Sequence, residues 1–158
     1  MMKGMTQEKR MNLALLVLRV TAGAIFVVHG YGKIFSNAPG MTNFTKMVTG
    51  MGFPLPGMFA WAAALSEFVG GIMLILGVYP SLAAVFTAIT ISVAAFKVKK
   101  GLPPKADAEL ALLAMSIAIA LVGGGKYALG RFLPKFRMPK MGGAAPKADP
   151  TQPTMVQK

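Results

Sequence analysis

Four long runs of apolar residues, at about 12–35, 58–79, 81–98 and 108–125, are separated by short segments rich in Pro, Gly and Lys. Each run is near the ~20 residues a helix needs to cross a ~30 Å hydrocarbon core. A chain in lipid must satisfy its own backbone, which leaves helices or a closed barrel. The runs show no strict polar alternation, which argues against a barrel. Only VYPS separates the second run from the third, so those helices are antiparallel neighbours, with Pro80 opening the latter. The first and second runs are joined by some twenty residues that hold a Pro39-Gly40 turn and the segment FTKMV, expected as a short interfacial helix. The predicted fold is all-α: a polytopic membrane four-helix bundle of up-down topology over residues 1–133. The basic, Pro-rich residues 134–158 are expected to form a disordered tail.

Composition strengthens the membrane reading. The 158 residues are 54% hydrophobic and only 14% charged, and the mean hydropathy is +0.58. A water-soluble domain carries far more charge. Cysteine is absent, which removes disulfides, thiolate chemistry and Cys-ligated metal. With one histidine and five acidic residues, no intrinsic metal centre is expected.

The net charge of +12 is distributed unevenly. Lys3, Lys9 and Arg10 precede the first run, and Lys126, Arg131, Lys135, Arg137, Lys140, Lys147 and Lys158 follow the last. Four spans put both termini on one side, which then carries ten of the 17 positive residues. That asymmetry favours both termini in the cytoplasm, with the tail on anionic lipid headgroups. No base-reading motif accompanies the charge, so nucleic acid is not an expected partner. The first run follows basic residues as a secretory signal does, but Arg19 interrupts it and three further spans follow; it is read as a retained helix.

Ionisable residues within apolar runs are the natural functional candidates, since each is costly in lipid unless paired or solvated. Three stand out: Arg19, His29 and Glu67. On the first helix Arg19, Gly23, Phe26, Gly30 and Lys33 form one stripe at spacings of three and four. On the second, Glu67, Gly70, Gly71 and Leu74 form another. Glycines on each stripe allow close helix approach, so the two faces are expected to pack together with their charges inward. If the first helix enters at Asn12 and the second returns at Tyr79, Arg19 lies roughly 10 Å and Glu67 roughly 18 Å from the same end. Arg19–Glu67 is the expected ion pair, serving a ligand or only fixing helix register. Lys33 is expected to extend to the headgroups. His29, one turn away, either shuttles a proton, meets a ligand or is satisfied by water or Glu67.

These patterns resemble the DoxX family of small membrane proteins. The resemblance runs from about Leu16 to Leu133, through RVTAGAIFVVHGYGKIF, then SEFVGGIMLILGVYPSLAA, then ELALLAMSIAIALVGGGKYALGRFL. The last stretch is similar to a Gly-rich family ending in which Ser and Asp stand at the positions of Ala128 and Gly130. The resemblance implies a four-helix protein of the cytoplasmic membrane, tied in some members to thiosulfate:quinone oxidoreduction and in others to oxidative-stress complexes. Three readings stay open: an accessory subunit of a redox system holding a bound quinone, a structural or assembly subunit beside other membrane proteins, and a small proton or solute transporter centred on Glu67.

Overall fold

The computed structural model describes residues 6–37, 40–100 and 103–132. The expected disordered tail, 134–158, lies outside the described residues. Among the described residues the regular structure is helical. Helix α1 spans Gln7–Ile34, α2 Gly40–Gly50, α3 Pro56–Leu76, α4 Pro80–Val93 and α5 Asp107–Val122. A π-helical turn, Ala94–Val98, extends α4, and a 3₁₀ turn, Leu129–Phe132, follows α5.

Local sequence sets these limits. The Thr6 hydroxyl caps α1 by accepting from the Lys9 amide at 3.4 Å. Pro56 and Pro80 occupy the first positions of α3 and α4, where a missing N–H costs nothing. Gly77 closes α3 at φ +70°, with its own amide and that of Val78 turned back to the carbonyls of Leu74 and Met73. A left-handed residue is what this type of helix stop requires.

Among the described residues, three helices are long and apolar enough to cross a membrane: Gln7–Ile34, Pro56–Leu76 and Pro80–Val98. The fourth expected span is shorter than the sequence suggested. Helix α5 stops at Val122, where Gly123 turns at φ +83°, after 16 residues, or about 24 Å of rise. The run of three glycines ends the helix before the apolar composition does. The segment FTKMV does form part of a short amphipathic helix, α2, with Phe44 and Val48 buried and Thr42, Asn43 and Lys46 outward.

Packing follows the small-residue stripes. A Cβ built on Gly23 would lie 2.7 Å from the Gly71 carbonyl, and one on Gly30 2.7 Å from Phe68 Cα. Such distances mean that α1 and α3 touch backbone to backbone, which only glycine permits. The α3 stripe divides its work: Gly71 faces Gly23 and Val27 of α1, whereas Gly70 faces Thr87 of α4. One core of Ala22, Phe26, Leu74, Ala84, Ile91 and Ile119 joins α1, α3, α4 and α5. A second, smaller one joins Phe44 and Val48 of α2 to Ala60 and Ala64 of α3.

Candidate functional site

The two charges expected to meet do not. Glu67, near the middle of α3 and 1% exposed, pairs with Lys33 in the last turn of α1. The glycine contacts explain the correction. They set a helix register in which Arg19 is level with Gly77, ten residues or about 15 Å along α3 from Glu67. The assumed entry at Asn12 placed the helix ends, but the backbone contacts at Gly23 and Gly30 set the pairing. Lys33 therefore turns inward instead of rising to the headgroups. Its ammonium also sits 4.7 Å over the centre of the Phe44 ring, a cation–π contact that ties α2 to the ion pair.

Beside this pair lies a cavity of about 630 Å³, within the usual range for a site that encloses a small organic molecule. Three helices wall it with residues at helical spacing. Helix α3 gives Phe59, Ala62, Ala63 and Ser66; α4 gives Phe86, Ile89, Thr90 and Val93; α2 gives Phe44, Met47 and Val48, with Met51 in the turn just after it. Helices α3 and α4 approach closely at Gly70 and Thr87. One turn further, Thr90 donates to the Ser66 hydroxyl at 3.0 Å, and the space beyond is the cavity. The π-helical turn contributes Ala94 and Val98 to its lining. Such departures from α geometry occur often at functional sites, because they re-aim side chains locally.

The polar lining is sparse and balanced. Lys33 faces Glu67, and at the end of α4 Lys99 lies 4.0 Å from Glu109. Both pairs line the cavity, together with His29, Ser66 and Thr90. His29 also borders a smaller cleft with Ala24, Ile25 and Val28 on the outer face of α1. Four of the expected residues thus fall into two sets here: Lys33, Glu67 and His29 meet at the cavity, while Gly30 holds the seam behind them.

Arg19 belongs to a different place. It is 1% exposed and donates to the backbone carbonyl of Tyr127, in the segment that follows α5. Its Nε and Nη1 have no hydrogen-bond partner among the described residues. The same segment is fastened by Asn12, whose side-chain oxygen accepts from the Lys126 amide at 2.7 Å. The Gly130 amide donates to the Gly77 carbonyl at 2.9 Å, and Lys126 pairs with Glu8. Arg19 is therefore the centre of a clasp that binds residues 123–130 to α1 and α3. Among the described residues, no group of three or more His, Cys, Asp or Glu side chains could hold a metal ion.

Sequence reading missed the cavity itself and the part α2 plays in it. The signal was present as three stripes of large apolar and small residues, but nothing in one helix tells how far it stands from the next.

The model of the DoxX family matches residues 14–100, from the second turn of α1 through the end of the π-helical turn. The chain belongs to the DoxX family. It is also 33% identical over 128 residues to the Bacillus subtilis (strain 168) protein named "Putative oxidoreductase CatD", a match that covers 80% of this chain and 91% of that relative. No solved structure matches it. With the family shown and three membrane-length apolar helices, this DoxX protein is a multi-pass membrane protein whose helices contact lipid. The family match covers both Lys33 and Glu67 and all but Glu109 of the cavity wall.

Proposed function

We propose that this DoxX protein is an accessory subunit of a quinone-linked redox system in the cytoplasmic membrane, and that the cavity beside Lys33 and Glu67 holds a lipid-soluble quinone. The observation that carries the reading is the pairing of a buried ion pair with an adjacent, largely apolar space. A buried charge pair is a poor way to gain stability, since well-packed apolar residues often do as well. Here the pair lies on a cavity wall, where a ligand can use it.

The lining favours a neutral, flat headgroup. Each cavity cation already has a carboxylate, so no surplus positive charge waits for an anionic lipid. Phe44, Phe53, Phe59 and Phe86 offer ring faces and edges. The Lys33 ammonium supplies a charge-assisted donor for a quinone carbonyl. The Ser66 and Thr90 hydroxyls, 3.0 Å apart, add a second polar point to the wall. A quinone supplies two-electron, two-proton chemistry; this chain supplies the pocket, the donors and a carboxylate. Electrons come from or go to a partner subunit, since the sequence has no cysteine and one histidine with which to build a redox centre. The name of the Bacillus subtilis relative fits a redox setting.

The reading as a purely structural subunit draws less support. Close contacts with partner helices would call for free small-residue faces, and Gly23, Gly30, Gly70 and Gly71 are spent inside the bundle. The proposed orientation has both termini in the cytoplasm, where Lys9 and Arg10 at the start of α1 join the basic end of the chain on anionic lipid headgroups.

Isolation of the tagged chain in mild detergent, with mass spectrometry of co-purifying proteins and extracted lipids, tests this reading. The expected result is a redox-enzyme subunit together with a quinone near one per chain. A reproducible complex free of both would overturn it.

A further inference from the structure

The cavity's walls carry information about how its occupant arrives. Phe59 of α3 is 38% exposed, and Phe86 and Ile89 of α4 are 53% and 58% exposed. All three also line the cavity. They therefore have one side on the space within and another on the outer surface of two membrane-length helices. Phe86 and Ile89 are three residues apart on α4, and Phe59 and Ala62 three apart on α3, so each pair forms a ridge along its helix. Beside these ridges the helices are joined by Gly70 against Thr87 and by Thr90 on Ser66.

The polar groups are set back from this rim. Lys33 and Glu67 are 19% and 2% exposed at their side chains, on the α1 side of the space. The path from the outer surface to the ion pair thus runs from large apolar side chains at the exposed rim, past half-buried Ala63, to charge. Water-soluble substrates find no polar vestibule along such a path, whereas an amphiphile dissolved in the bilayer meets the apolar rim first.

Resting on the proposed quinone reading, we infer that the ligand enters sideways from the bilayer between α3 and α4. It is a long-tailed quinone, whose ring passes the Phe59, Phe86 and Ile89 rim to reach Lys33 and Glu67. Its apolar tail stays between the two helices and extends into the lipid. The cavity volume of about 630 Å³ suits the ring and the first part of such a tail. The remainder needs no protein, because bilayer chains are as apolar as the helix surfaces. The tail makes membrane solubility part of the recognition, and Ile89, the most exposed of the three rim residues, is the gatepost.

The test uses the full chain in lipid nanodiscs and two photoreactive azidoquinones, one with a ten-carbon tail and one with no tail. Each is added at the same total concentration, so that the tail-less probe arrives chiefly from water, and labelling that excess unlabelled quinone can suppress is mapped by peptide mass spectrometry. Ile89→Trp plugs the rim; its size-exclusion profile and thermal midpoint show that it folds. The expected result is that both probes label α3 and α4 peptides of the unsubstituted chain, with at least tenfold more label from the tailed one. Ile89→Trp lowers the tailed label at least fivefold and leaves the tail-less label within twofold. Phe86→Ala, which widens the rim, speeds exchange of the tailed probe. If both probes label the unsubstituted chain equally, or Ile89→Trp affects both alike or neither, lateral entry is overturned while the quinone pocket stands. If neither probe gives suppressible labelling, the quinone reading fails and this inference falls with it.

Discussion

Two charges among the described residues, Arg19 and Glu67, are buried, and the bundle treats them in opposite ways. Around Arg19 the structure is closed: the guanidinium lies against Gly77 and Ala128, and the segment after α5 covers it. Around Glu67 it is open: the carboxylate has a full ionic partner in Lys33 and a cavity of about 630 Å³ beside it. A charge packed tightly against backbone, with only a carbonyl for a partner, acts as a fastener. A charge with its own counter-ion and adjoining space is available to a ligand. Burial alone does not distinguish the two, since Arg19 and Glu67 are each 1% exposed.

The largest expected effect falls on the ion pair. Lys33→Met leaves Glu67 without its cation, at a cost of about 3–5 kcal/mol. Unfolding in mixed micelles measures the loss, and Lys33→Met combined with Glu67→Gln should recover most of it. Recovery of nothing would mean that Lys33 matters for its packing on Phe44 and not for its charge.

At the closed end the sensitive position is Gly77. A Cβ there meets the Arg19 guanidinium and comes within 2.8 Å of Ala128 Cα, at a backbone φ of +70°. Overpacking and the left-handed conformation together make Gly77→Ala cost about 2–4 kcal/mol. Arg19→Met should cost less, about 1–2 kcal/mol, since it leaves one buried carbonyl unpaired but removes an uncompensated charge. A loss as large as that of Lys33→Met would erase the contrast between the two ends.

The smallest stability effect belongs to the open end. Ala63→Leu extends into existing space, so stability should change by no more than about 0.5 kcal/mol. Quinone occupancy should nonetheless fall at least tenfold, read from extracted lipid. A large loss of stability would show that the space is less accommodating than its volume implies.

Much of this was legible in the sequence. Apolar length gave α1, α3 and α4 to within a few residues, and Pro80 gave the tight turn between the last two. The Gly23–Gly30 stripe and Gly71 brought α1 against α3 as expected, whereas Gly70 packs on Thr87 of α4 instead. What failed was register. Depth counted from an assumed helix entry put Arg19 beside Glu67, whereas α1 begins at Gln7 and its glycines dock some six residues out of step with that count. A stripe tells which face is buried, and a shift of one or two turns preserves it while exchanging every ionic partner. The cavity was invisible for a related reason. It is a gap between α2, α3 and α4, and spacing between helices is set by contacts, such as Gly70 on Thr87, made elsewhere along them.

The most direct test is the quinone content of three proteins purified identically from native membranes: the unsubstituted chain, Glu67→Gln and Arg19→Met. The account predicts close to one quinone per chain in the first, at least a tenfold loss in Glu67→Gln, and no change in Arg19→Met. Equal content in all three, or none in the unsubstituted chain, would contradict it.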